Sequence, residues 1–237
     1  MNISMFDILG PIMIGPSSSH TAGAQRIGKA MYNMIADKQL QAVHFILHGS
    51  FHLTLRGHGT DRAILAGLEG NVPATVDTDY LLSVRERCAH DGTIHVNGTN
   101  AIAYDDDGDM VFDRWKRLAP HPNGMRFQAF DAQGNIIDEQ VWYSIGGGFI
   151  RRGRIDDALI SNHEQTPASS QSPEDSGNDE AAEYGDGVPY PFVSCDGLID
   201  LCRKHHLSIA DVVWANETAR RSPQEVRDRL TRIWNVM

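Results

Sequence analysis

The sequence predicts an α+β fold: a mixed β-sheet packed with helices, followed by a short all-α segment. Three observations predict it. Helical periodicity dominates the first third of the 237 residues, short β-rich runs between turn residues dominate the middle, and helical periodicity returns after an acidic stretch poor in apolar residues. Hydrophobic residues make up 41% of the chain, enough for a substantial core.

The first element is a turn that feeds a helix. In Ile12-Met-Ile-Gly-Pro-Ser-Ser-Ser-His-Thr-Ala-Gly23 an apolar run breaks at Gly15-Pro16 and three hydroxyl residues follow. From His20 the apolar positions take helical register at Ile27, Ala30, Met31, Met34 and Ile35. Ser19 reads as the helix cap. The first amides of a helix lack intrahelical partners and carry the positive end of its dipole, so Ser17, Ser18 and Ser19 sit where a carboxylate or phosphate can be held.

A β-rich run from Ala42, ended by Gly49, reads as a strand. Thr60-Asp61 opens a helix with Ala63, Ile64 and Leu68 on its apolar face and Gly70 to stop it, and a further helix spans Asp79 to Ala89. Strands follow at Thr93 to Val96, Ala101 to Tyr104, Met110 to Phe112, Met125 to Phe130 and Ile136 to Ser144. Asp105-Asp-Asp-Gly108 and Ala132-Gln-Gly-Asn135 have the chemistry of hairpin turns.

The formal net charge is −10, but residues 164 to 187 hold seven acidic side chains and no basic one, which leaves the remainder near −3. Such a balance gives no field for nucleic acid and no polybasic patch for a membrane. The acidic segment reads as a disordered linker, so the expected domains are 1–161, a linker at 162–189, and a helical segment at 190–237. No run approaches the roughly 18 to 20 apolar residues of a membrane span, and the first residues lack a basic signal-peptide region. A cytoplasmic protein is expected. Cys88, Cys195 and Cys202 form neither a disulfide framework nor a recognisable metal motif.

Three further stretches suggest chemistry. In Gly57-His-Gly-Thr-Asp61, two glycines flank His58 at a helix start. In Ala119-Pro-His121-Pro-Asn123, prolines restrict the backbone around the histidine. In Tyr143-Ser-Ile-Gly-Gly-Gly-Phe149 a strand runs into three glycines, which suits either close approach to a ligand or a bend at a sheet edge.

Gly15-Pro-Ser-Ser-Ser-His-Thr, Gly57-His-Gly-Thr-Asp, His121-Pro-Asn-Gly-Met-Arg-Phe and Tyr143-Ser-Ile-Gly-Gly-Gly-Phe, in this order, resemble the β part of bacterial iron-sulfur L-serine dehydratases. The resemblance implies a domain similar to the allosteric substrate-binding domain of some phosphoglycerate dehydrogenases. It implies conversion of L-serine to pyruvate and ammonia with a [4Fe-4S] cluster whose ligands lie outside this chain. Its implied partners are L-serine and a cluster-bearing α part, in a homo-oligomer. Carried over from the motifs, His58 and His121 are the catalytic histidines, with His58 the first choice for base. Ser17, Ser18, Ser19, His20, Thr60, Asp61, Asn123 and Ser144 are substrate-binding.

The last residues resemble the start of that α part. Helices are expected from Ser194 to His205, from Ser208, and from Ser222-Pro-Gln-Glu225, the last with a capping box and an apolar face of Val226, Leu230, Ile233, Trp234 and Met237. Two other classes remain open in the residues. One is a regulatory module that binds serine without turnover. The other is a mononuclear metal hydrolase built on His44, His48 and His52, against which stands the absence of a His-Glu-x-x-His motif.

Overall fold

The computed structural model describes residues 4–9, 12–54, 56–96, 100–162 and 187–236. The acidic linker expected at 162–189 lies almost wholly outside them. The chain forms two compact units, Met13–Gln165 and a second that joins Met1–Ile12 to Thr166–Met237. An α+β fold is what the larger unit shows.

Among the described residues its sheet has seven strands: β1 (Ala42–His48), β2 (Thr93–Val96), β3 (Asn100–Ala103), β4 (Met110–Asp113), β6 (Gly124–Phe130), β7 (Ile136–Gly146) and β8 (Phe149–Arg152). They run in the order β2-β3-β1-β6-β7-β8, with β4 also paired to β1. Two three-residue strands, β5 (Lys116–Leu118) and β9 (Leu159–Ser161), make a separate antiparallel pair. β1 alternates as its sequence suggests: Val43, Phe45 and Leu47 are buried, whereas His44 and Ile46 are partly exposed on the other face.

The buried face is covered by α2 (Gly23–Ile35), α4 (Thr60–Leu68) and α5 (Thr78–Asp91). Ile27, Met31 and Ile35 of α2 join Ile64 and Leu68 of α4 and Phe45 and Phe127 of the sheet in one cluster of fully buried side chains. Each contributes roughly 1.5–3 kcal/mol of burial. A smaller cluster of Leu118, Val141 and Tyr143 lies apart from it.

One expectation is corrected here. Asp105–Gly108 does not close a hairpin: β3 and β4 both run parallel to β1, so the turn interrupts one side of β1 instead of reversing the chain. The Ala132–Asn135 turn does join antiparallel β6 and β7. The three glycines form the tight turn between β7 and β8, with φ of 97°, 58° and 78° that L side chains rarely adopt, after an irregularity between Ser144 and Gly146.

In the smaller unit, α1 (Met5–Ile8) is tied to α7 (Ile209–Thr218) by buried Glu217, which accepts from Ser4 Oγ at 2.8 Å and from the Met5 amide at 2.6 Å. α6 (Cys195–His205) is capped by Ser194. The reciprocal capping box is at Ser208 and Asp211, ahead of α7. At α8 (Pro223–Val236), Ser222 accepts the Glu225 amide, while the Glu225 carboxylate pairs with Arg221 and Arg229. Val226 is buried and Trp234 is 76% exposed; Met237 lies outside the described residues. Among the described residues no helix is long and apolar enough to cross a membrane.

α2 and α4 touch backbone to backbone. A Cβ on Gly28 meets the Ile64 carbonyl oxygen at 2.3 Å, and one on Gly67 meets the Gln25 carbonyl oxygen at 2.1 Å. Replacing glycine by alanine inside a helix ordinarily stabilises by up to about 1 kcal/mol. Here the clash is with backbone and cannot be relieved by a rotamer change, so it wins. Gly67→Ala is expected to destabilise by about 2–3 kcal/mol, read as a fall in the urea midpoint; an unchanged or raised midpoint contradicts the contact.

Candidate functional site

The turn ahead of α2 is wider than its sequence suggests. Ser18–Ala22 form one turn of π-helix, and the Thr21 and Ala22 amides both donate to the Ser17 carbonyl, at 3.0 and 3.2 Å. Single π-turns of this kind are frequent at functional sites. Ser17, not Ser19, is the cap: its backbone is extended and its Oγ accepts the His20 amide at 3.0 Å. The helix begins earlier than its apolar periodicity shows, which releases the Ser19 hydroxyl for His20.

His20 is 8% exposed. Its Nδ1 lies 2.9 Å from Ser19 Oγ and 3.5 Å from Ser17 Oγ, and its Nε2 lies 3.0 Å from Ser50 Oγ. Ser50 opens α3 (Ser50–Thr54), directly after β1, and was not marked by the sequence. The His20 ring meets the His58 ring edge-on at 5.5 Å between centroids and Phe51 at 5.3 Å. Thr21 Oγ1 donates to the His58 carbonyl at 2.8 Å and so ties the two histidine motifs together.

A second line of bonds enters from the sheet. Ser144 Oγ, fully buried on β7, donates to the Ser19 carbonyl at 2.7 Å. A Cβ on Gly23 would stand 2.2 Å from that hydroxyl, so only glycine lets α2 approach β7 here. Asn123 Nδ2 donates to the Ser144 carbonyl at 3.1 Å, and the Ser144 amide donates to the Asn123 carbonyl at 3.0 Å. The Asn123 amide in turn donates to His121 Nδ1 at 3.1 Å. Pro122 contributes its carbonyl, which accepts the Ser50 amide at 2.9 Å.

The fold thus brings Ser17, Ser19, His20, His58, His121, Asn123 and Ser144 into one bonded neighbourhood, and Ser18 lies in the same turn. Thr60 and Asp61 are placed differently. Thr60 is fully buried at the start of α4. Asp61 is buried and ion-paired, 3.1 Å from Arg85 Nε and 3.6 Å from Arg56 Nε. His58 Nδ1 and Thr60 Oγ1 are buried without a hydrogen-bond partner among the described residues. Such atoms cost about 1–3 kcal/mol each, and here they adjoin a turn where a ligand can supply the missing bond.

The bond from Asn123 settles a tautomer. A backbone amide only donates, so His121 Nδ1 is an acceptor and neutral His121 carries its hydrogen on Nε2. Burial, helped by the nearby Arg151 guanidinium, holds His121 below the ordinary histidine value. Burial and the neighbouring His58 do the same at His20.

The cysteines do not fit a four-iron cluster. Burial, with Glu69 close by, pushes the Cys88 thiol up to about 12, whereas cluster ligands are thiolates. Cys195 and Cys202 stand about two turns apart on α6. Among the described residues no group of three or more histidine, cysteine or acidic side chains is placed to hold a metal ion. His44 and His48 stand on β1 and His52 on α3, with His48 Nδ1 3.3 Å from Asp113.

Residues 4–154 match the family model of the serine dehydratase beta chain. The chain is 36% identical over 241 residues to a protein named L-serine dehydratase from Streptomyces coelicolor, covering all of this chain and 48% of that one. It is 35% identical to L-serine dehydratase 2 of Escherichia coli, over 99% of this chain and 47% of the relative. With L-serine dehydratase of Haemophilus influenzae the identity is 30%, over 99% and 48%. The chain therefore spans about half the length of the curated relatives it matches.

A pH dependence follows from the buried rings. His20, His48 and His121 all bind a proton less readily when folded than the ordinary value of 6.5, burial being the first cause each time. The unfolded chain then holds more protons, so their contribution to stability is complete above about pH 6.5 and declines as pH falls toward the lower folded-state values. The urea midpoint is expected to be lower at about pH 5.5 than at about pH 7.5, with a smaller difference in His48→Gln. A midpoint that rises on acidification contradicts this.

Proposed function

The chain belongs to the serine dehydratase beta-chain family, and from that premise we propose that it is the β part of an enzyme that eliminates water from L-serine to give aminoacrylate, whose imine tautomer takes water back and releases pyruvate and ammonia. The α-proton of serine is only weakly acidic and hydroxide is a poor leaving group, so both ends of the elimination need help. The observation that carries the reading is the convergence of motifs from four separated stretches on the π-turn and its hydrogen bonds.

His58 takes the α-proton as general base. It stands at a glycine-flanked turn beside the π-turn, its ring edge-on to that of His20, and the residue is half-buried. His121 does the complementary work. Its neutral Nε2–H, fixed by the Asn123 amide on the opposite nitrogen, donates to the substrate oxygen on which negative charge develops. A neutral imidazole held in this way polarises an oxygen without first giving up a proton. Ser17, Ser18 and Ser19 line the substrate side. Ser144 and Asn123 act as positioning residues, since their side chains are spent on the Ser19 and Ser144 carbonyls. A [4Fe-4S] cluster on thiolates outside this chain, in an α part that completes the enzyme, is the cofactor that the resemblance to iron-sulfur enzymes implies.

In an enzyme completed by that part, His58→Ala is expected to lower kcat for serine deamination by about 10²-fold to 10⁴-fold, the usual worth of a general base. His121→Ala is expected to lower kcat with a smaller effect on KM. His44→Ala, on the sheet face away from the core, serves as the control and should retain turnover. Near-normal turnover in both the His58 and His121 variants contradicts the assignment.

A further inference from the structure

Arg62, in the first turn of α4, carries a charge that the rest of the fold does not balance. Helical side chains point back toward the N-terminus of their helix, and this one folds over Gly59, the residue that precedes α4. A Cβ on Gly59 would stand 2.2 Å from Arg62 Nε and 2.8 Å from its Nη2. Arg62 is half-buried, and its Nε is buried without a hydrogen-bond partner. Among the described residues no acidic side chain pairs with the guanidinium. Asp61 beside it is taken by Arg85 at 3.1 Å and Arg56 at 3.6 Å. Both of those arginines also pair with Asp106, so two cations meet two carboxylates and the charge of Arg62 is left over.

The start of α4 lacks acceptors as well. Gly59 has no side chain with which to cap it. The Arg62 amide donates to Asp61 Oδ1 at 2.8 Å and the Ala63 amide to the Gly59 carbonyl at 3.0 Å. Among the described residues this leaves the Thr60 and Asp61 amides without an acceptor, at the positive end of the helix dipole. On either side of Gly59, Thr60 Oγ1, in a fully buried residue, and His58 Nδ1 are buried without a hydrogen-bond partner. From these unpaired groups we propose that Arg62 and the start of α4 hold the carboxylate of the amino acid whose α-proton His58 removes. A guanidinium presents two parallel N–H donors that match the two oxygens of a carboxylate. The α-carbon is bonded directly to that carboxylate, so a base next to Gly59 and an anion held over Gly59 address adjacent atoms of one ligand. The unbalanced positive charge lies at α4, not at the serine run where the sequence places an anion.

The carboxylate assignment rests on the serine-deaminating reading and deepens it, and calorimetry on the full chain separates the two. L-serine is compared with ethanolamine, which keeps the ammonium and the hydroxyl but has a hydrogen in place of the carboxylate. The wild-type chain is expected to prefer L-serine. Arg62→Gln should lose about tenfold or more of that preference, the worth of one charge-assisted hydrogen bond, while its affinity for ethanolamine stays nearly as before. Arg62→Lys keeps the charge without the fork and should lose less. A cation at a helix N-terminus opposes the dipole, so Arg62→Gln is also expected to keep or raise the urea midpoint, which the loss of a structural arginine would lower. If the wild-type chain binds neither ligand, the substrate-site reading falls and the carboxylate assignment with it. If it binds both alike, if Arg62→Gln keeps the full preference for L-serine, or if Arg62→Gln lowers the midpoint, the carboxylate assignment alone falls.

Discussion

Across 2.7 Å, the buried Ser144 hydroxyl donates to the Ser19 carbonyl and joins the sheet to the π-turn. Much else is arranged around that bond. Gly23 has no side chain because a Cβ there would occupy the place of the hydroxyl. Ser144 also accepts the Asn123 side-chain amide on its carbonyl and donates its own amide to the Asn123 carbonyl, and the Asn123 backbone amide sets the tautomer of His121. The same bond therefore holds the hydroxyl run at one end and orients a histidine at the other. Losing it would remove a hydrogen bond worth about 0.5–1.5 kcal/mol net and would free the turn that presents Ser19.

Behind this site the scaffold is rigid for an independent reason. The α2–α4 contact at Gly28 and Gly67 brings two helix backbones together, and both helices bury their apolar faces on the strands. The functional side chains are then carried on short connections at the ends of these elements: the π-turn before α2, Ser50 after β1, His58 before α4, and residues 121–123 between β5 and β6. Positioning reactive groups on loops held by a packed scaffold lets the loops be shaped for a ligand without loosening the core.

What the sequence made legible was local. The strands at Thr93–Val96 and Met125–Phe130, the helix opened by Thr60 and the hydroxyl run all follow from composition and period within a few residues. Long-range pairing was not legible. Asp105–Gly108 has hairpin chemistry, yet its flanking strands pair with β1 and not with each other, a choice made by partners distant in sequence. Ser50 follows a glycine and carries no motif; its role depends on a bond to His20 that spans thirty positions. Asp61 stands beside Thr60 in the sequence, but Arg85 from α5 takes its carboxylate. The cap at Ser17 was hidden because the helix opens with a π-turn, which shifts its start ahead of the apolar periodicity.

The hydroxyl and histidine side chains of this neighbourhood act as a set, and a ligand that binds among them must be felt by all three rings at once. The ring resonances of the histidines in the full chain, followed while L-serine is added, test this most directly. The account predicts that His20, His58 and His121 shift together and saturate at one serine concentration, while His90 on α5 and His95 on β2 stay in place. Shifts confined to His90 and His95, or saturation of the three site rings at unrelated concentrations, would contradict it.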